Sequence, residues 1–236
     1  YPTRRSSDLD RTGQFPLDGL EALKREGFWG LRVSREHGGR EADLLTTVLV
    51  TEALAKRCAS TSLCYKMHLE ASELVARIGT PDQIDRMVRP IVAGTALYTV
   101  AGSEAAGRGG AFAQNNAMSQ VVPIDDGYRL EHIRKSYVTS ASFATHHFFL
   151  CRIGKDATPD KVSALIVERD KIDWKIDAPW DGLGMRGNNS CPVIFNGVVP
   201  KANLVGEEHA LMKDQARKFL PVVRSEEHTS ELQSRH

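Results

Sequence analysis

Apolar positions along the first ninety or so residues recur at helical spacing. Leu17, Leu20 and Leu23 repeat in this way until Gly27 stops the segment. Phe28-Trp29-Gly30-Leu31 and a turn at Glu36-His37-Gly38-Gly39 follow. A second helix is predicted over about 41–57, with Leu45, Val48 and Leu49 on one face. A third is predicted from about Ser60 to Ile78, where Leu63, Met67, Leu74 and Ile78 form the stripe. Thr80-Pro81-Asp82-Gln83 is a helix start. Thr80 can cap free N–H groups, Gln83 can return the bond, and Pro81 loses nothing at the first helical position. Ile84, Met87, Val88, Ile91 and Val92 continue the apolar stripe until Gly94.

After Gly94 the period changes. Tyr98–Ala101, Met118–Val122, Ser136–Thr139, His147–Cys151, Val162–Val167 and Val193–Phe195 are short and rich in β-branched or aromatic residues. Asp125-Asp126-Gly127 reads as a hairpin turn. The fold class expected is α+β: an all-α helical domain over 10–96, then a small β-barrel over 97–206. A truncated C-terminal helix is expected over 207–223, with Leu211, Gln215, Lys218 and Phe219 in its pattern. The boundary near Gly94–Leu97 is a change of period, not a flexible linker, so the two regions should pack tightly. Segments 1–9 and 224–236 resemble translated sequencing adapters and lack an apolar period, so neither is expected to pack.

Composition narrows the function classes. The chain has 236 residues, of which 41% are hydrophobic, and carries 31 basic against 30 acidic residues for a net charge of +1. That balance provides no general field for nucleic acid or an anionic membrane. No apolar run approaches the ~20 residues of a membrane span, and no signal-peptide pattern opens the sequence. The four cysteines are widely spaced and read as reduced thiols of a cytoplasmic protein.

Local motifs are mostly bland. Gly182-Leu-Gly184-Met-Arg-Gly187 matches a dinucleotide fingerprint in spelling, but the following Asn188-Asn189-Ser190-Cys191-Pro192 cannot open the helix such a site requires. It reads as a turn. His146 and His147 would point to opposite faces of a strand and cannot share a metal. His37 and His68 are isolated, and no metal site is expected. No nucleophile elbow or Cys/His pairing suggests a hydrolase.

The order of the motifs says more. Phe15-Pro16, Gly27-Phe28-Trp29-Gly30-Leu31, Glu36-His37-Gly38-Gly39, Glu52-Ala53-Leu54-Ala55 and Ile78-Gly79-Thr80-Pro81-Asp82-Gln83 are followed by Ser103-Glu104 and Lys135-Ser136-Tyr137-Val138-Thr139-Ser140-Ala141. Leu183-Gly184-Met185-Arg186-Gly187, Val193-Ile194-Phe195 and Val199-Pro200-Lys201-Ala202-Asn203-Leu204-Val205-Gly206 complete the series. In this order and at these intervals they resemble the acyl-CoA dehydrogenase family over about 10–206.

The resemblance implies α,β-dehydrogenation of an acyl thioester with FAD, or alternatively FMN, held against the sheet region. It implies cofactor-binding roles for Gly102, Ser103, Tyr137, Val138 and Thr139. Ser103 matches the residue bonding the pyrimidine end of the flavin ring, and Thr139 the one beside flavin N5. Tyr137 stands where the family usually has tryptophan and could stack on the ring. Taken alone, Ser103 and Thr139 also read as strand hydroxyls and Tyr137 as core. Gly107, Arg108 and Gly109 fall in the segment that approaches phosphate and CoA. There the chain departs from the family: Ala105 replaces its proline, Gly107-Arg108-Gly109-Gly110 its Gly-Ser-Asp, and Ile133 a glycine.

The family's base is a glutamate of a C-terminal helical domain, so no catalytic residue is assigned within this chain, and the fragment alone is expected to be inactive. The altered 107–110 segment admits two alternatives, a two-component flavin monooxygenase of the same fold or a non-catalytic family member. Partners implied are an acyl-CoA or similar small molecule, an electron-acceptor protein, and a second copy in a homodimer or homotetramer.

Overall fold

The computed structural model describes residues 2–104 and 117–211. The helices are α1 (Pro2–Thr12), α2 (Leu17–Arg25), α3 (Leu44–Ala55), α4 (Ala59–Ile78), α5 (Pro81–Gln83) and α6 (Arg89–Val92). The strands are β1 (Tyr98–Ala101), β2 (Gln120–Ile124), β3 (Gly127–Val138), β4 (His146–Ile153), β5 (Ser163–Glu168), β6 (Asp173–Ile176), β7 (Cys191–Pro200) and β8 (Leu204–Val205).

The capping box forms as read: Thr80 accepts from the Gln83 backbone N–H and the Gln83 side chain accepts from that of Thr80. The helix it opens does not stay α-helical. A π-turn spans Ile84–Val88 between α5 and α6. Pro90 explains this, because it has no N–H for the carbonyl four residues back and its ring would crowd that carbonyl.

Two expected faces differ. Leu45, Val48 and Leu49 lie on one face of α3, but that face is exposed and Thr47 is the buried residue. The helix is apolar nearly all round, so its pattern does not single out an inner side. On α4 the opposite side from Leu63 and Met67 is the more deeply buried, carrying Tyr65, His68, Leu69, Ser72 and Val75. His68 tolerates burial because both ring nitrogens are bonded, Nε2 to the Trp29 carbonyl (3.0 Å) and Nδ1 to the Tyr98 N–H (3.1 Å).

Residues 2–9, expected not to pack, form most of α1. Polar contacts within the turn support it: Arg11 pairs with Asp8 at 3.2 Å and the Thr12 hydroxyl donates to the Asp8 carbonyl at 2.7 Å. Asp10 accepts from the Arg186 N–H at 3.0 Å, and Leu9 is half-buried.

The strands do not close into the expected barrel. Among the described residues they form an open sheet in the order β6-β7-β3-β2-β4-β5-β8, with β1 added parallel to β4. Among the described residues the ladder pairing that links the two halves is that of β2 with β4, parallel over Gln120↔Arg152 and Val121↔Ile153. Among the described residues the terminal strands β6 and β8 are four and two residues long, and each pairs with one neighbour. A count of strands from periodicity does not say whether the first and last meet. The hairpin at Asp125-Asp126 is as read, pairing Ile124 with Gly127.

Alternation along β4 and β5 divides the interior. Phe148, Leu150, Ala164 and Ile166 join Leu20, Trp29, Tyr65, Met87, Ile91 and Tyr98 in one cluster. Phe149, Cys151, Leu165 and Val167 join Val121, Leu130, Val193 and Phe195 in a second. These strands are covered on both faces, which is why their sequences read as unbroken apolar runs. The helix expected from Glu207 does not begin within the described residues. Instead the Leu211 N–H donates to Val162 and the His209 N–H to the Ser163 hydroxyl, and Leu211 covers the first cluster.

Candidate functional site

The C-terminal end of β3 runs beside β1 and its extension. The Thr99 hydroxyl donates to the Thr139 carbonyl (2.7 Å), and the Ser136 N–H donates to the Ser103 carbonyl (2.8 Å). One partner number rises as the other falls, so the two segments approach in antiparallel sense. Ser103 is thereby brought to the strand end that carries Tyr137 and Thr139.

Each candidate residue has a distinct environment. Tyr137 is 61% exposed and meets Trp180 edge-on, with ring centroids 6.0 Å apart. Thr139 is buried, and its hydroxyl shares a 3.1 Å bond with the Ser190 hydroxyl. Ser103 is half-buried. Gly102 is buried, and a Cβ there would sit 3.0 Å from Leu150 Cδ1. Val138 points the other way, into the second core cluster, so only its backbone can face a ligand. The proposed core role of Tyr137 does not hold. Gly107, Arg108 and Gly109 lie outside the described residues.

A buried ion pair, to which the sequence reading assigned no role, sits directly behind these residues. Lys135 is fully buried, and its Nζ lies 2.6 Å from Glu104 Oε1 and donates to the Leu150 carbonyl at 2.6 Å. It also lies 4.6 Å from the centre of the Phe149 ring. Glu104 accepts further bonds from the N–H groups of Met118 (2.6 Å) and Ser119 (2.8 Å) and from the Ser119 hydroxyl. Burial pushes the Glu104 carboxyl up, but the Lys135 ammonium and these donors outweigh it and hold it below the usual range. For Lys135 burial dominates, and the carboxylate offsets only part of its downward push. Lys135 stands between Arg134 and Ser136 on a strand of mixed burial, so its immediate neighbours gave no signal of the buried pair.

The turn at Gly182–Gly187 is confirmed as a turn. No strand leads into it, and only a 3-10 turn at Arg186–Asn188 follows. It is nonetheless attached to the site. The Ser140 N–H donates to the Asn188 carbonyl (2.9 Å), the Ala141 N–H to that of Asn189 (3.0 Å), and the Ser142 N–H to Asn189 Oδ1 (2.7 Å). A cleft of about 860 Å³ opens beside Phe143, lined also by Phe15, Leu17, Leu54, Arg57 and Cys58. His146 and His147 diverge as expected: His146 stacks on Tyr98, whereas His147 is buried edge-on against Phe195. Among the described residues no group of three or more His, Cys, Asp or Glu could hold a metal, and no helix is long and apolar enough to cross a membrane.

This cradle fits a flat aromatic cofactor. An exposed tyrosine ring, engaged edge-on by one neighbour, stands beside a hydroxyl with spare hydrogen-bonding capacity. Residues 3–95 match the profile of the acyl-CoA dehydrogenase N-terminal domain, and residues 99–198 that of the acyl-CoA dehydrogenase middle domain. The probable acyl-CoA dehydrogenase YngJ of Bacillus subtilis (strain 168) is 32% identical over 209 residues, covering 84% of this chain and 52% of that protein. The solved butyryl-CoA dehydrogenase from Megasphaera elsdenii shares the fold, with a TM-score of 0.78 at 22% identity, over 88% of this chain and 55% of that one. KijD3, solved in complex with FMN and a dTDP-linked amino-keto sugar, superposes with a TM-score of 0.74 at 26% identity, over 88% of this chain and 51% of that one. The chain thus spans about half the length of the relatives it matches.

Proposed function

Because the chain belongs to the acyl-CoA dehydrogenase family, we propose that it forms the flavin-holding part of an FAD-dependent acyl-thioester dehydrogenase. What supports this reading is the bonding of the 99–103 segment to the end of β3 that carries Tyr137 and Thr139, with the Ser103 carbonyl held by the Ser136 N–H and the Thr139 carbonyl by the Thr99 hydroxyl. Tyr137 offers an exposed ring for stacking, and the Thr139 and Ser103 hydroxyls offer donors for the edge of the flavin. Bound FAD would supply the acceptor for the hydride leaving the substrate β-carbon. The residues around it would orient the ring and exclude water, and the Lys135–Glu104 pair ties β3 to the segment that carries Ser103. Glu104 is committed to Lys135, Met118 and Ser119, so the reading gives removal of the α-proton to none of the described carboxylates. Acyl-CoA as substrate, an electron-acceptor protein and a homodimeric or homotetrameric assembly belong to the same proposal.

The test uses protein expressed from the complete gene. It should purify with a yellow chromophore, and anaerobic acyl-CoA should bleach its visible band. A protein that binds no flavin overturns the reading. The likeness to KijD3, solved with FMN and a dTDP-linked amino-keto sugar, favours a flavin enzyme of another substrate class, and we take the two-component flavin monooxygenase as that alternative. In that case acyl-CoA leaves the band unchanged, and substrate oxidation requires both oxygen and supplied reduced flavin.

A further inference from the structure

We infer that Ser190 is a positioning residue that sets the direction of the Thr139 hydroxyl toward the bound flavin. The inference rests on the flavin reading above and deepens it.

A hydroxyl has one hydrogen and two lone pairs. Thr139 Oγ1 and Ser190 Oγ lie 3.1 Å apart, both on buried residues. If Ser190 donates, the Thr139 hydrogen stays free to point outward, toward the side where Tyr137 is exposed. If Thr139 donates instead, it presents only lone pairs to a ligand. Reduction adds electron density at the flavin edge, and an outward donor favours the reduced form. Ser190 therefore controls whether Thr139 discriminates between redox states.

The surroundings hold Ser190 in place with unusual care. The Ser190 N–H is bonded to Asn188 Oδ1 at 3.0 Å. Ser140, directly after Thr139, and Asn189, directly before Ser190, both adopt left-handed backbone conformations at φ 59° and 52°. Non-glycine residues occupy that region rarely and need neighbours that enforce it. Here the enforcement is mutual, through the Ser140–Asn188 and Ala141–Asn189 backbone bonds and the Ser142–Asn189 side-chain bond. The Thr99 hydroxyl fixes the Thr139 carbonyl from the other side. Two strained turns are thus clamped face to face, and the hydroxyl pair lies where they meet.

The experiment titrates FAD, oxidised and then dithionite-reduced, into the full-length protein and its variants by fluorescence and absorbance. The readout is the ratio of the two dissociation constants. Ser190→Ala should lower the preference for reduced FAD about fivefold. Ser190→Thr, which keeps the hydroxyl, should stay within about twofold of wild type. Thr139→Val should show the same loss, and adding Ser190→Ala to it should change nothing further, because both act through one hydrogen bond. If Ser190→Ala weakens both redox states equally, or acts additively with Thr139→Val, Ser190 is only structural and the inference falls while the flavin reading stands. If wild type binds FAD in neither state, both fall.

Discussion

Replacing Lys135 by methionine would leave the Glu104 carboxylate buried without its counter-ion. The pair is almost solvent-free, with side-chain exposures of 0% and 7%, so water cannot substitute for the lost ammonium. Removing one member of such a pair costs about 3–5 kcal/mol, whereas replacing both by neutral groups of similar size can be close to neutral. Against a typical domain stability of about 5–15 kcal/mol, the single change consumes a large fraction of the total. Urea unfolding followed by circular dichroism measures it. Lys135→Met should move the midpoint down sharply at unchanged slope, and Lys135→Met with Glu104→Gln should recover most of the loss, because the amide oxygen can still accept from Met118 and Ser119. The pH dependence carries a sign. The folded Glu104 carboxyl is depressed, so its contribution is complete above the unfolded glutamate value of about 4.3 and is lost as pH falls through the lower folded value. The stability gap between wild type and Glu104→Gln should therefore be flat near neutrality and shrink below about pH 4. A Lys135→Met single variant within about 1 kcal/mol of wild type would refute the argument that the pair is held out of water.

Three further outcomes are expected. Burial pushes the thiols of Cys64 and Cys151 up to about 12, and that of Cys191 upward, so a thiol reagent at pH 8 should label half-buried Cys58 rapidly and these three only on unfolding. A Cβ at Gly39 would lie 2.1 Å from the Val33 carbonyl oxygen, whereas one at Gly184 meets nothing within 4 Å. Gly39→Ala should abolish soluble expression or cost several kcal/mol, and Gly184→Ala should leave the urea midpoint essentially unchanged. Trp29→Phe removes the 2.8 Å bond from the indole N–H to the Ala96 carbonyl, leaving a buried acceptor unpaired, and should lower stability by about 1–3 kcal/mol in the same assay.

What the sequence disclosed depended on how local each cause was. The Thr80–Gln83 capping box was legible because both partners lie within one turn, and the apolar runs of β4 and β5 were legible because burial on both faces leaves no polar alternation. The exposure of Leu45, Val48 and Leu49 was not, since an almost wholly apolar helix has no distinct inner side. The barrel expectation failed for a related reason: pairing β6 with β8 is a property of chain ends that no strand's own pattern records. At the site, Ser103, Tyr137 and Thr139 could be picked out by resemblance, and Lys135 stood in a quoted motif without a role. The partnership of Thr139 with Ser190 joins residues 51 apart through two strained turns, and nothing in either segment's composition announces it.

The shared interior of helices and sheet bears on how the protein melts. Tyr98 from β1, Phe148 and Leu150 from β4, and Ile166 from β5 are packed in the same cluster as Trp29, Tyr65 and Ile91. At the junction between the two regions the Pro90 carbonyl accepts the N–H groups of both Thr95 and Ala96. Neither region can lose its packing while the other keeps it. A scanning calorimeter should record one endotherm for both, with calorimetric and van't Hoff enthalpies in agreement.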